Sequence, residues 1–203
     1  MSNNVKKSNY HHGDLREQLL KAATKMIREN GIDQLSLRKL AGLVGVSRTA
    51  PYHHFKDKNE LLCAIAEQGF RERSKTMESQ VGDANTDSSA QLKEYMVEYV
   101  SFAQQNPEIY ELMFGRTIWK QQIDNKSLKD SAYPSFQHQL AVTKKWQEIG
   151  LLDQQANSLR LSQVIWGTMH GIAKLLIDGI YKDSSQIEEI CECAASQFSQ
   201  VTN

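Results

Sequence analysis

Between Leu35 and Phe55 the chain carries two short helical patterns separated by a single glycine. Isolated helices shorter than about 12–15 residues are marginal in water, so both patterns must pack on whatever precedes and follows them. Leu37, Leu40, Ala41 and Val44 give the first an apolar inner face, and the small Ala41 permits close approach of the second. Gly45 can supply a φ > 0 turn, Val46 can plug the core, and Ser47 can cap the second helix. The flanks have helical spacing too. Before the segment, Leu15, Leu19, Ala22, Ala23, Met26 and Ile27 recur every three or four residues, with Asp14 and Glu17 spaced as a capping box and Gly31 as the stop. After it, Asp57 and Glu60 repeat the box and open a helix through about Gln80, with Leu61, Leu62, Ile65, Ala66 and Phe70 as its stripe. The first 55 residues therefore form three helices, with a fourth leading out.

The remainder keeps the same period. Gly82 to Ser89 (GDANTDSS) is a polar linker, and helices are expected near 89–105, 107–115, 127–149, 154–181 and 184–201. Pro107 suits a first helical turn, and Pro134 marks a kink or a break. The fold class is all-α. Residues 1–13 are expected as a basic N-terminal arm, 14–75 as a first helical domain and 76–203 as a larger second one.

The 203 residues carry 24 Lys and Arg against 24 Asp and Glu, a net charge of zero. That total conceals a division. Residues 1–60 hold 11 basic and 6 acidic side chains, a sum of +5, and residues 61–203 hold 13 and 18, a sum of −5. No uncharged apolar run approaches the roughly 18–20 residues of a membrane span; the best, Val164 to Ile180, is interrupted by His170, Lys174 and Asp178. Met1 to Lys7 is polar, without the apolar segment of a signal peptide. Cys63, Cys191 and Cys193 lack metal spacing and read as reduced thiols, with Cys191 and Cys193 on different helix faces. The expected location is cytoplasmic, at the nucleoid, with no membrane partner.

Helix, glycine turn and helix form a helix-turn-helix, whose second helix enters the DNA major groove by its N-terminal part. That helix exposes Arg48, Thr49, Ala50, Tyr52 and His53, the polar members of which reach bases or phosphates. Arg38, outward on the first helix, can pair bidentately with a guanine edge. Ser36, Ser47 and Lys58 sit at helix starts, where main-chain N–H groups and side chains together hold phosphate. The plainer alternative is a short helical hairpin with a solvated basic face. The local +5 charge favours DNA, because phosphate neutralisation dominates such affinity.

The run Gly31 to Ala41 (GIDQLSLRKLA), then Gly45-Val46-Ser47, then Tyr52 to Lys58 (YHHFKDK) and Glu60-Leu61-Leu62 resembles the DNA-binding domain of the tetracycline-repressor (TetR) family, over residues 14–75. The resemblance implies an all-helical homodimer, a palindromic double-stranded DNA operator, and a repressor released by a small molecule. Carried over by position, it makes Arg38, Arg48, Thr49 and His53 base-facing, and Ser36, Ser47, Tyr52 and Lys58 mainly phosphate-facing. Tyr10 to Arg16 (YHHGDLR) and Trp166 to Gly171 (WGTMHG) further resemble a subgroup with a Trp/His/Gly motif in its regulatory domain. Many members have an aliphatic residue where Pro51 stands. Pro51 cannot donate to the Ser47 carbonyl, so the recognition helix is expected to start late or with a tight 3₁₀ turn.

Elsewhere, each pattern has a functional and a plain explanation. His11-His12 and His53-His54 lack converging ligands, so no metal is expected; His11 and His12, with Lys6 and Lys7, form either a DNA-touching arm or a disordered tail. Tyr99, Phe102, Tyr110, Met113, Phe114, Phe136, His138, Trp166, Met169 and His170 can line a pocket for a small apolar or amphipathic effector, or can simply be helix core. Val164, Ile165, Met169, Ile172, Ala173, Leu176 and Ile180 place apolar residues on more than one helix face. With Gly167 and Gly171, and with Ile187, Ile190, Ala194 and Phe198 of the last helix, they suit a dimer face or an internal core helix. Neither a phosphate-cradling glycine loop nor a G-x-S-x-G motif is present, so no enzyme and no cofactor are expected. Against the regulator stands a helical partner-binding adaptor that does not use its helix-turn-helix on DNA; a small helical enzyme acting in the aromatic cavity is a third reading.

Overall fold

Apolar residues at helical spacing run through almost the whole chain, and the computed structural model is accordingly all-α. It describes residues 12–79, 88–119, 126–181 and 186–199. Two compact units, Met1–Ile65 and Ala66–Asn203, meet inside one continuous helix.

In the first unit, α1 (His12–Asn30) begins two residues before the expected cap, so Asp14 lies in its first turn. The proposed arm falls mainly on residues 1–11, outside the described residues. Leu19, Ala23 and Ile27 are fully buried along one stripe of α1, as their spacing demands. The helix closes where the Gly31 N–H meets the Ile27 carbonyl at 2.8 Å. A 3₁₀ turn, Ile32–Gln34, intervenes before α2 (Leu37–Val44). Ser36 caps α2 by accepting from the Lys39 N–H at 3.2 Å, and Leu37, Leu40 and Ala41 face inward. Gly45 takes the left-handed conformation (φ 76°, ψ 32°), which turns its N–H and that of Val46 onto the Ala41 carbonyl. The capping box before α3 (Lys58–Ser79) forms: the Asp57 carboxylate accepts from Glu60 N–H at 2.9 Å, and Glu60 accepts from Lys56 N–H at 2.6 Å.

The second unit contains the rest of α3 with α4 (Ser88–Gln105), α5 (Pro107–Phe114), α6 (Arg116–Trp119), α7 (Lys126–Glu148), α8 (Ser158–Ile177) and α9 (Ile187–Phe198). The linker expected at 82–89 lies mostly outside the described residues. Pro107 opens α5 as expected, while Pro134 lies inside an unbroken α7, contrary to a break there. The short α6 had no sequence signal of its own, since four residues carry too little period to read. α4 packs on α8 and α9, and α7 on α8. Their shared core holds Leu92, Met96, Val100, Tyr110, Ile165 and Met169, with Tyr95 edge-on to Trp146 at 5.3 Å. Of the apolar residues on α8, Ile165, Met169, Ile172 and Ala173 turn inward, while Val164 is exposed. Cys191 is buried and Cys193 exposed, so the two thiols do face apart.

Candidate functional site

The segment after Gly45 departs from a regular helix, and Pro51 is the reason. With no N–H at position 51, the Ser47 carbonyl instead accepts from Ala50 N–H at 3.0 Å. Tyr52 N–H reaches Thr49 and His54 N–H reaches Pro51 in the same three-residue steps, so Ala50–His53 is a 3₁₀ turn. Ser47 is therefore not the N-cap that its spacing suggested. Thr49 holds that position without a side-chain cap bond, and the Ser47 hydroxyl lies 3.2 Å from that of Thr49. Pro51 itself is buried, and Phe55, 1% exposed, anchors the end of the turn with the Arg16 guanidinium 5.3 Å over its ring.

This tight geometry leaves one polar surface facing outward. Arg38 on α2 and Ser47, Arg48, Thr49, Tyr52 and His53 are all exposed, and Ala50 is half-buried among them. Ser36 accepts in its capping bond, so its hydroxyl proton is not spent there. Lys58 is half-buried and donates to the Ile32 carbonyl at 2.7 Å, which fixes one of three ammonium protons and the direction of the side chain. Small hydroxyls, one aromatic hydroxyl and several cations thus occupy one contiguous stretch of chain. They have the chemistry to contact phosphates and base edges.

The second unit holds a cavity of about 530 Å³ lined by aromatic side chains from α3, α4, α5, α6, α7 and α8. Of the residues expected to meet a ligand, Tyr99, Phe114, Phe136 and Trp166 line it. The other six do not. Met113 and Met169 are completely buried in the packing between helices, and Phe102 covers the Arg73 guanidinium, 5.5 Å from its ring centre. His138 is half-buried on α7, one residue from the lining position, so the helix turns it away by about 100°. Tyr110 and His170 stand outside the lining in a hydrogen-bonded chain with Tyr99. Sequence reasoning missed Phe70, Arg73, Lys129, Tyr133 and Gln139, all of which line the cavity. For Arg73 a signal existed. It lies three residues after Phe70, on the continuation of the α3 apolar stripe, and is only 2% exposed.

The chain of bonds behind the wall runs in one direction. Trp166 Nε1–H donates to the Tyr99 hydroxyl at 2.8 Å, Tyr99 and Tyr110 hydroxyls are 2.8 Å apart, and Tyr110 lies 2.6 Å from His170 Nδ1. Every proton is placed if Tyr99 donates to Tyr110 and Tyr110 donates to an unprotonated Nδ1. Burial supports that arrangement by raising both phenol pKa values, which keeps the hydroxyls protonated. Burial, and secondarily the Lys174 charge, lower the His170 pKa from its ordinary 6.5, which keeps the ring neutral. The unfolded chain then takes up this proton before the folded one. The stabilising contribution is complete above about pH 6.5 and is lost as pH falls through the folded value. Melting temperature should accordingly drop between pH 7 and pH 5, and His170→Asn should flatten that drop. An unchanged pH profile in the variant would remove His170 as its source.

Known proteins match both units. A family model described as bacterial regulatory proteins, tetR family, covers residues 19–65, and one described as the tetracyclin repressor-like C-terminal domain covers residues 92–198. An HTH-type transcriptional repressor from Mycobacterium tuberculosis is 38% identical over 63 residues, 31% of this chain and 34% of that protein. A nucleoid occlusion factor from Vibrio cholerae is 29% identical over 117 residues, 57% of each chain. The chain thus spans about a third and just over half of the lengths of these two curated relatives. A solved protein of unknown function from a Rhodococcus species is 30% identical, with a TM-score of 0.79 over 96% of this chain and 100% of that one. With the second family model alone covering more than half of its length, the chain belongs to the TetR family of bacterial regulatory proteins, and residues 19–65 carry that family's helix-turn-helix domain.

Proposed function

We propose that this protein is a ligand-responsive transcriptional regulator that binds a palindromic operator as a homodimer and acts in the cytoplasm on nucleoid DNA. One observation carries the reading: a single chain joins an exposed helix-turn-helix to a separate helical unit with an aromatic-lined cavity. Residues 14–75 are assigned to DNA binding, through Ser36, Arg38, Ser47, Arg48, Thr49, Ala50, Tyr52, His53 and Lys58. Residues 76–203, together with Phe70 and Arg73 at the end of the preceding segment, are assigned to effector binding and dimerisation. A small apolar or amphipathic molecule in the cavity shifts the dimer between states that do and do not match two half-sites, by no more than its differential affinity for them. Footprinting of the purified protein on genomic DNA tests this. Two protected half-sites about 34–36 Å apart are expected; protection of a single site, or none, would contradict it.

The dimer face is assigned to α8 and α9. Val164, Gly167, Gly171 and Leu175 follow one another at helical spacing on the outward side of α8, and a Cβ placed at either glycine would meet nothing within 4 Å. Such a stripe allows a second helix to approach closely. Val164→Asp should shift the monomer–dimer equilibrium by about 100-fold or more toward monomer, because a symmetric interface would bury two unpaired carboxylates. Sedimentation equilibrium reads this directly, and an unaltered dimer would move the interface elsewhere.

A further inference from the structure

The cavity is apolar over most of its wall, but its polar groups are not a random sample. Seven aromatic residues and Ala132 form the wall; Arg73, Lys129, Ser135 and Gln139 are the non-aromatic polar residues in it. Among the described residues, the two charged ones at the lining are both cations and none is a carboxylate. Two of the polar side chains are almost completely buried, Arg73 at 2% exposed and Gln139 at 3%.

Each of those two has a donor without an acceptor. The Arg73 guanidinium is held in place on one side by Glu98, with Nη1 3.3 Å from the carboxylate, and on its face by the Tyr99 ring at 4.3 Å. Among the described residues its Nη2 has no hydrogen-bond partner. Gln139 is oriented by Tyr95, whose hydroxyl donates to Oε1 at 2.7 Å, and its amide Nε2 has no partner among the described residues. Burying an unsatisfied donor is costly, and more so when it is charged. Here the two residues that carry such donors, one of them cationic, both line one cavity. What they lack is acceptors, since the Glu98 carboxylate meets Nη1 and not Nη2.

Building on the effector reading above, we propose that the cavity binds an apolar, ring-bearing molecule with one carboxylate, whose oxygens accept from Arg73 Nη2 and Gln139 Nε2. The aromatic wall takes the body, by edge and face contacts with rings such as Phe70, Phe114, Phe136 and Trp166. Lys129, exposed on α7, adds a second positive charge at the lining and draws the anion inward. A cationic ligand would meet two like charges, and a purely apolar one would leave both donors unmet.

Isothermal titration calorimetry on the full chain compares three probes of one shape: biphenyl-4-carboxylate, biphenyl-4-carboxamide and biphenyl-4-ylmethylammonium. The carboxylate is expected to bind roughly 10- to 100-fold tighter than the amide, the range for hydrogen bonds to charged groups, with the cation weakest. Arg73→Met should remove the preference for the acid over the amide, and Gln139→Met should reduce it, while helical circular dichroism is retained. The comparison in the unmodified chain needs neither variant to fold. Equal binding of acid and amide, tighter binding of the cation, or a full preference surviving in Arg73→Met would overturn the proposal. Operator release is followed in parallel. A carboxylate that binds without releasing DNA would overturn the effector reading and leave this site standing. Release by the amide and not by the acid would do the reverse.

Discussion

Alanine at Arg38 is expected to weaken binding to the operator by about 10- to 100-fold, the range for losing one bidentate base contact, and to relax sequence preference at one base position in each half-site. The expectation rests on where the side chain stands. Leu37, Leu40 and Ala41 fix α2 against the core, and Ser36 caps it, so Arg38 is held outward on a rigid element. Tyr52→Phe should weaken binding by a smaller factor and equally across sequences, since a hydroxyl on phosphate positions the protein without reading bases. Fluorescence anisotropy with operator and scrambled duplexes separates the two effects. If Arg38→Ala binds both duplexes as the unmodified chain does, α2 does not face the groove.

Phe55→Ala should cost about 3–5 kcal/mol, the range for truncating a buried aromatic side chain. A domain of this kind has only about 5–15 kcal/mol in total, so DNA binding should be lost with the fold of the first unit. Phe55 ends the 3₁₀ turn through its N–H to the Pro51 carbonyl at 2.9 Å, and its buried ring is covered by Arg16. The effect should stay local. Amide hydrogen exchange is expected to show lost protection in α1 and α2 with little change in α8. Unchanged protection in α1 and α2 would mean that Phe55 does not hold the unit together.

Much of this was legible because short-range rules dominate the first unit. A glycine at φ 76° and a proline that cannot donate each have one local consequence, and both consequences are present. The Ser47 cap failed for an equally local reason. The spacing suggested a regular helix from Ser47, whereas the 3₁₀ turn that Pro51 imposes begins only at Ala50. The cavity was less legible, because lining it is a property of facing helices and not of any one of them. Met113 and Trp166 look equally suitable in sequence, yet one is sealed in the core and the other lines the space. Gln139 is the instructive case. It lies on the buried stripe of α7, between Leu128 and Val142, where a polar residue needs partners, and its amide has one bond made and one unmade. A polar residue on an apolar stripe was the available signal there, as it was for Arg73.

The division of charge fits the same account. The zero total separates into +5 over residues 1–60 and −5 over residues 61–203. An acidic second unit repels DNA and leaves the basic one as the contacting surface. The helical adaptor remains the competing reading, and it requires the basic surface to be idle.

The salt dependence of duplex binding by the purified chain decides between them. If the surface from Ser36 to Lys58 holds phosphates in both half-sites, log K against log salt should fall with a slope on the order of −5 or steeper. Lys58→Ala should then lower that slope by about one to two units, one contact per protomer. A flat response, with no binding at low salt, would contradict the account at its centre.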